Sequence, residues 1–206
     1  MPEPRGWHSR GYLPHLDAGS VPQFVTWRQD DAMPASVVER WSEELRHIED
    51  EERSKELVRR IEAYCDEGHG SCLLRNPEAS RQVQEVLFAH HLELYRLLSW
   101  VVMPNHVHAI LVPQPEVTLE CIMHRIKGAS SRAVNKVAGR SGRLWQPEYR
   151  DRVIRSAEHL ERATKYIEWN PVKAKLCNDP KHWHWSSANE DSQHRLELLM
   201  KDRPAG

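Results

Sequence analysis

The sequence predicts an α+β domain, because strand-forming segments and amphipathic helical segments follow one another along the chain. Four segments are rich in β-branched and aromatic residues and are expected as strands: 21–28, 93–103, 105–113 and about 152–154. Four segments repeat apolar residues at helical spacing and are expected as helices: about 35–66, 78–91, 119–138 and a shorter one from Ser156. The second and third strands are joined tightly at Met103-Pro104-Asn105, which favours an antiparallel hairpin.

Length and composition suit one domain with a core of its own: the chain has 206 residues, of which 39% are hydrophobic. No apolar run approaches the ~20 residues that span a bilayer, and the N-terminus lacks the apolar stretch of a signal peptide. The four cysteines form no Cys-x-x-Cys pair. We therefore expect reduced thiols, a cytoplasmic location and no membrane partner.

Three regions are expected along the chain. Residues 1–20 contain basic and aromatic residues among prolines and glycines, and are predicted to form a flexible arm. Residues 21–176 form the main domain, with a helical insertion at about 35–66. Residues 177–206 form a C-terminal tail that becomes irregular near Asp191. Pro171 is expected to end the last helix of the main domain.

Charge is unevenly distributed, although the net charge is only −1. Residues 121–176 hold 13 Lys and Arg against 5 Asp and Glu, whereas residues 37–67 hold 6 against 11. The basic region is suited to a polyanion. The acidic helical segment is interpreted as a solvated surface, with protein contacts as an alternative.

His106 and His108 stand one residue apart within an apolar strand. Residues i and i+2 of a strand point to the same face, so both imidazoles are expected to project together and to suit a divalent metal. The alternative is a half-buried strand with two hydrogen-bonded histidines.

Tyr166 and Asn170 are four residues apart on a predicted helix, and they share a face. A phenol is a poor nucleophile at neutral pH, because its ordinary pKa is about 10. A tyrosine that attacks DNA therefore needs a cation on the scissile phosphate, and the amide oxygen of Asn170 can serve as a further ligand. Tyr149 is the alternative nucleophile, but it has valine rather than Asn or Gln four residues on.

The segment WVVMPNHVHAIL resembles the His-hydrophobic-His signature of the HUH endonucleases, and RLWQPEYRDRVIRSAEHLERATKYIEWNPVKAKL resembles the second signature of the REP-associated tyrosine transposases. The resemblance implies a ferredoxin-like antiparallel sheet with helices on one side. It implies Mg²⁺ or Mn²⁺ bound by His106, His108 and Asn170. It also implies attack by Tyr166 on hairpin-containing single-stranded DNA, with a 5′-phosphotyrosine intermediate. Monomer and homodimer both stay open.

Basic and aromatic residues near these motifs are predicted to contact DNA: Arg125, Lys127, Arg132, Trp145, Arg150, Arg152, Lys165 and Lys173. Trp145 has the alternative of a core position. Three other functions are kept as hypotheses. The protein is a hairpin-binding regulator that does not cut, a metal-dependent phosphodiesterase that uses water, or a structural zinc protein that uses Cys177, His182 and His184.

Overall fold

The computed structural model describes residues 6–9, 14–17 and 19–201. Strands and helices are mixed along the chain, and the fold class is α+β, as predicted. The strands are β1 (Gly6–Ser9), β2 (Pro14–Asp17), β3 (Gln23–Arg28), β4 (Tyr95–Val102), β5 (His106–Pro113) and β6 (Arg150–Val153). The helices are α1 (Ala35–Glu44), α2 (Asp50–Asp66), α3 (Pro77–Ala89), α4 (Leu119–Val137), α5 (Ala157–Lys173) and α6 (Glu190–Lys201).

The main sheet has the strand order β4-β5-β3-β6, and every neighbouring pair is antiparallel. In chain order, β3, α3, β4, β5, α4 and β6 follow the βαββαβ pattern of the ferredoxin-like motif, with α1 and α2 inserted after β3. The predicted hairpin is formed by β4 and β5. None of the described helices is long and apolar enough to cross a membrane.

Helices pack on both faces of the main sheet, not on one. Side chains of a strand alternate between faces, and the larger apolar cluster joins one face to α3 and α4 through residues such as Val107, Leu87 and Ile126. The opposite face packs against α5 through Ile110 and Ile167. This second face also carries the two histidines of β5, so it is the functional face.

Two boundaries differ from the sequence prediction for clear reasons. The helical region 35–66 is split into α1 and α2 by a turn at 45–49. Helix α5 does not stop at Pro171 but continues to Lys173. A proline near the end of a helix forfeits a single backbone bond, and hydrogen bonds resume with Ala174 N donating to Asn170 O at 2.9 Å.

The two ends of the chain are more structured than predicted. Within the proposed flexible arm, β1 and β2 pair as an antiparallel two-stranded sheet, while residues 1–5, 10–13 and 18 lie outside the described residues, as do 202–206. The tail forms α6, and Trp185 joins the edge of β4 through its carbonyl oxygen, which accepts from Val102 N at 2.8 Å. The tail therefore packs on the main domain.

Candidate active site

A row of three side chains crosses the functional face of the sheet. His108 of β5 is the cross-strand partner of Thr26 in β3, and Thr26 is also the partner of Arg150 in β6. Antiparallel partners point to the same side, so an imidazole, a hydroxyl and a guanidinium lie next to each other. The row lies on the face that packs against α5.

His106 and His108 both point to this face, and their Nε2 atoms are 3.1 Å apart. Both side chains are buried. Burial, with the nearby charges of Arg28 and Lys173, lowers the pKa of His106 to about 3. Burial and the neighbouring His106 also lower the pKa of His108. The imidazoles are therefore neutral at physiological pH, which is the form that binds a metal ion.

A hydrogen bond at Nδ1 orients each imidazole. His106 Nδ1 lies 2.7 Å from Asn105 Oδ1, and the amide nitrogen of Asn105 donates to the carbonyl oxygen of His69 at 2.8 Å. Since Oδ1 can only accept, His106 Nδ1 carries the proton and Nε2 keeps its lone pair. His108 Nδ1 lies 2.7 Å from Thr26 Oγ1, which can accept in the same way. Both Nε2 atoms can thus act as metal donors.

Asn170 brings an amide from α5 to the two imidazoles. Its side chain is 1% exposed, and its Nδ2 atom lies 3.5 Å from His108 Nε2. Its Oδ1 atom is buried and has no hydrogen-bond partner among the described residues. A buried amide oxygen without a partner is costly, and rotation of the amide exchanges the positions of its oxygen and nitrogen. A cation beside the imidazoles would satisfy this oxygen, so the donor set fits a divalent metal.

Tyr166 lies one turn before Asn170 on α5 and is half-buried. Its ring is edge-on to His108, with 5.5 Å between ring centroids, and its hydroxyl donates to Glu62 Oε2 at 3.2 Å. Burial raises the pKa of the hydroxyl above its ordinary value, and the negative charges of Glu62 and Asp66 raise it further. The phenol is therefore protonated at neutral pH.

Helix α2 brings two carboxylates to the same group of side chains. The region between β5, α5 and α2 that holds His106, His108, Tyr166 and Asn170 is called the cleft below. Glu62 accepts a hydrogen bond from Arg150 Nη1 at 2.7 Å and another from the hydroxyl of Tyr166. Asp66 pairs with Lys173 Nζ at 2.7 Å through Oδ2, and its Oδ1 atom lies 3.8 Å from His106 Nε2. The interpretation of this acidic segment as a purely solvated surface was wrong for these two residues.

Residues 73–170 match the family described as Transposase IS200 like. This part of the chain is similar to the IS200-like transposases. The matched segment contains both histidines, Tyr166 and Asn170. A comparison with curated proteins found no match.

Two solved structures were found to be similar. One is a REP-associated tyrosine transposase bound to a REP hairpin, with 17% identity, a TM-score of 0.50, and coverage of 100% of this chain and 93% of that chain. At this identity the likeness concerns the fold alone. The other is a candidate transposase from Deinococcus radiodurans R1, with 17% identity, a TM-score of 0.34, and coverage of 79% and 96% respectively.

The residues predicted to contact DNA fall into two separate groups. Arg125, Lys127 and Arg132 are on α4, behind the sheet face opposite the histidines. The remaining basic residues are on the two elements that flank the cleft: Arg150, Arg152, Lys165 and Lys173. Within this second group, Arg150 and Lys173 are ion-paired with Glu62 and Asp66 of the cleft.

Two aromatic residues of the basic segment are part of the core. Trp145 is 4% exposed, and its Nε1 donates to Ser130 Oγ at 2.9 Å, so the base-stacking role predicted for it is not open to its ring. Tyr149 is 9% exposed and belongs to the apolar cluster behind the sheet, away from the histidines. This position favours Tyr166 over Tyr149 as the nucleophile.

The second His-x-His motif has a structural role nearby. Trp183 Nε1, between His182 and His184, donates to Val102 O at 3.0 Å, so the motif follows the edge of β4. Across the described ranges, no three His, Cys, Asp or Glu side chains are already arranged as a metal site. The zinc hypothesis based on Cys177 therefore lacks support. In the cleft, the donors are two imidazoles and an amide, with Asp66 further away.

Sequence reasoning missed four residues of the cleft: Thr26, Glu62, Asp66 and Asn105. Glu62 and Asp66 are four residues apart, so their shared helix face was visible in the sequence. Asn105 directly precedes His106, and its amide was a visible signal. The pairing of Thr26 with His108 had no signal in the sequence, because it depends on the register between β3 and β5.

Proposed function

We propose that the protein is a metal-dependent endonuclease and strand transferase for single-stranded DNA, and that it acts as a transposase on hairpin-containing elements of the REP type. One observation carries this proposal. Helix α5 packs Tyr166 and Asn170 against the sheet face that presents His106 and His108. A nucleophile, a cation site and basic side chains are thereby within one cleft.

In the proposed reaction, the Tyr166 oxygen attacks a backbone phosphorus and the bond from phosphorus to the 3′-oxygen breaks. The products are a 5′-phosphotyrosine link and a free 3′-hydroxyl. A 3′-hydroxyl of the same or another strand can reverse the step, so that no external energy source is required. The phenol proton has to leave as the new bond forms, and the Glu62 carboxylate is already hydrogen-bonded to it.

His106, His108 and Asn170 would hold Mg²⁺ or Mn²⁺. When bound, the ion makes phosphorus more electrophilic and stabilises the charge that develops on the phosphate oxygens. Asn105 and Thr26 keep the Nε2 atoms of the two histidines directed at this position. Arg150 shares the Glu62 carboxylate with Tyr166, and Lys173 Nζ lies 5.7 Å from the centroid of the Tyr166 ring, so both are suited to hold the phosphates that flank the scissile bond.

Support for a hairpin substrate comes from the solved REP-associated transposase, which is bound to a REP hairpin. The separation of basic residues into two groups agrees with a substrate that has two parts. The group beside the cleft would contact the single strand to be cut. The group on α4 would contact a neighbouring part of the DNA.

The test is covalent capture. Full-length protein is incubated with Mn²⁺ and oligonucleotides from the flanks of its own gene, in three forms: a single strand beside a hairpin, the same strand without the hairpin, and the duplex. A protein–DNA adduct that survives denaturing electrophoresis is expected with the first form, less with the second and not with the duplex. Chelation of the metal should abolish it.

Each alternative predicts a different result. Turnover without an adduct would support a phosphodiesterase that uses water. Tight binding of the hairpin without cleavage would support a regulator that does not cut. Equal cutting of plain duplex would contradict the proposal for single-stranded DNA.

A further inference from the structure

The ion pair between Asp66 and Lys173 accounts for one of the two carboxylate oxygens of Asp66. The roles proposed so far do not explain the position of the other oxygen. Its side chain is only 9% exposed, and Oδ2 accepts from Lys173 at 2.7 Å. Its other oxygen, Oδ1, is buried without a hydrogen-bond partner among the described residues. Oδ1 is the atom that lies 3.8 Å from His106 Nε2.

The cleft therefore contains two buried oxygen atoms, Asn170 Oδ1 and Asp66 Oδ1, that have no hydrogen-bond partner in the described part of the chain and lie beside two imidazole nitrogens. Burying a carboxylate oxygen without a partner is expensive, so a partner for this atom is expected in the working protein. The ion pair with Lys173 engages Oδ2, and Oδ1 is the oxygen nearer to His106. A cation bound beside the imidazoles would satisfy both oxygens at once.

The chemistry of the donor set points the same way. Two imidazoles and one amide are all neutral, whereas Mg²⁺ and Mn²⁺ are hard ions that are usually held by at least one carboxylate. Asp66 is the carboxylate that lies against the histidines. Glu62, one turn earlier on the same helix, is already occupied by the hydroxyl of Tyr166 and by Arg150.

The distances suit this role. In an octahedral site with bonds of about 2.1 Å, neighbouring donor atoms are about 3 Å apart. The two Nε2 atoms meet this spacing at 3.1 Å. Asp66 Oδ1 exceeds it by less than 1 Å, since it lies 3.8 Å from His106 Nε2. A small rotation of one side chain at the end of α2 would close the difference.

We propose that Asp66 is a fourth protein ligand of the divalent cation, supplied by α2, in addition to His106, His108 and Asn170. This inference rests on the proposed function, because it concerns the metal of the same site. It gives the acidic insertion a role in the reaction centre. It also gives the donor set one negative charge. A negatively charged donor set binds a divalent metal more strongly than a neutral one does.

The experiment is calorimetric titration of the full-length protein with MnCl₂, with no DNA and no measurement of activity. Asp66→Asn keeps the shape of the side chain and removes its charge. We expect it to weaken the Kd for Mn²⁺ by about tenfold or more, since even outer-shell partners of a metal ligand contribute that much. His106→Ala should weaken it at least as strongly.

Glu62→Gln is the matched control, because it removes the same charge from the same helix and the same cleft. It should change the Kd for Mn²⁺ by less than about threefold. Lys173→Met, which removes the cation that competes for Asp66, should tighten Mn²⁺ binding at least about twofold. A gain in affinity cannot arise from misfolding, so this variant keeps the test valid even if Asp66→Asn is unstable.

The possible results separate this inference from the proposed function. If the wild type and Asp66→Asn bind Mn²⁺ equally while His106→Ala does not bind, Asp66 only pairs with Lys173 and the inference fails alone. If Glu62→Gln weakens binding as much as Asp66→Asn, general electrostatics replaces ligation and the inference also fails. Adduct formation by the wild type with Mn²⁺ tests the proposed function independently of both results.

Discussion

The hydroxyl of Tyr166 donates a hydrogen bond to Glu62, although the two residues are 104 positions apart in the chain. The same carboxylate binds Arg150 through its other oxygen at 2.7 Å. The proposed nucleophile and a proposed phosphate contact are therefore both held by one negative charge. In the proposed function, DNA that enters the cleft would have to compete with this charge for Arg150.

Glu62→Gln should therefore bind single-stranded DNA more tightly than the wild type, by about three- to tenfold at low salt. The substitution removes repulsion between a carboxylate and the phosphates, and it releases the guanidinium of Arg150. Fluorescence anisotropy with a labelled hairpin oligonucleotide, at about 50 mM and about 200 mM salt, would measure the change in affinity. Glu51→Gln, on the exposed side of the same helix, is the control and should have little effect. Weaker binding by Glu62→Gln would mean that the carboxylate supports the DNA-bound state.

Tyr166→Phe should abolish the covalent adduct and leave DNA binding near the wild-type level. The substitution removes one oxygen, whose single hydrogen bond is at 3.2 Å, so the loss of unfolding free energy should stay within about 1.5 kcal/mol. Mass spectrometry of the DNA-linked peptide would identify the attachment site. Tyr149→Phe is the matched comparison, and it should retain the adduct because Tyr149 is in the core behind the sheet. A phosphonucleotide on Tyr149 would reverse the assignment.

Thr26→Val should weaken Mn²⁺ binding by about ten- to a hundredfold, because it removes the group that orients His108. Valine has nearly the shape of threonine, so the packing of β3 should be kept. Thr26→Ser retains the hydroxyl and should bind Mn²⁺ with less than a fivefold change, on the order of a single adjusted hydrogen bond. Calorimetric titration compares the two variants directly. Similar affinities for the valine and serine variants would show that His108 needs no orienting partner.

Gly70→Ala should lower the free energy of unfolding by more than about 2 kcal/mol. Gly70 has φ of +83°, and an added Cβ would lie 2.7 Å from the backbone oxygen of Asp31. The loop it occupies also presents the carbonyl oxygen of His69 to Asn105. Gly142→Ala is the control: it has φ of +91° but meets no atom within 4 Å, so it bears the backbone strain alone. Urea unfolding of both variants would measure the difference, and equal losses would contradict a role for the contact with Asp31.

Lys127 should make stability depend on alkaline pH. Burial lowers the pKa of its ammonium group from 10.5 to about 8, and Nζ donates to Pro147 O at 2.7 Å. Between about pH 8 and 10.5 the unfolded chain binds a proton that the folded chain does not, so this group adds stability as pH rises through that window. Across this window, the free energy of unfolding of the wild type should rise relative to that of Lys127→Met by at most about 1.4 kcal/mol per pH unit. The measurement is urea unfolding at several pH values across that window. Parallel curves of unfolding free energy against pH for the two proteins would exclude the lowered pKa of Lys127.

The elements that carry the site could be predicted from the sequence because their signals are local. Alternation and β-branched residues indicate β5, and a strand places His106 and His108 on one side wherever it lies. Spacing by four on a helix fixes Tyr166 relative to Asn170 in the same way. The sequence also predicted that a helix starts at Ser156, and the hydroxyl of this residue caps α5 by accepting from His159 N at 3.1 Å. Each of these features depends on backbone geometry within a few residues.

The remaining features depend on packing between distant segments. The sequence of α2 shows an acidic face. It does not show that part of this face lies next to the sheet and α5. A tryptophan in a basic segment can either stack on a nucleic-acid base or pack in the core. For Trp145, the contacts with Ser130 and Trp27 show that it packs in the core. Likewise, the face of the sheet that α4 covers could not be derived from the residues of α4. Long-range packing has no short sequence signature.

The segment that matches the transposase family begins at residue 73, beyond the end of α2. Glu62 and Asp66 thus reach the cleft from outside that segment, whereas the histidines, the tyrosine and the amide come from within it. Part of the proposed reaction centre is therefore encoded outside the matched segment. Substitutions in α2 would change the proposed proton acceptor and the proposed fourth metal ligand while every residue of that segment stays the same.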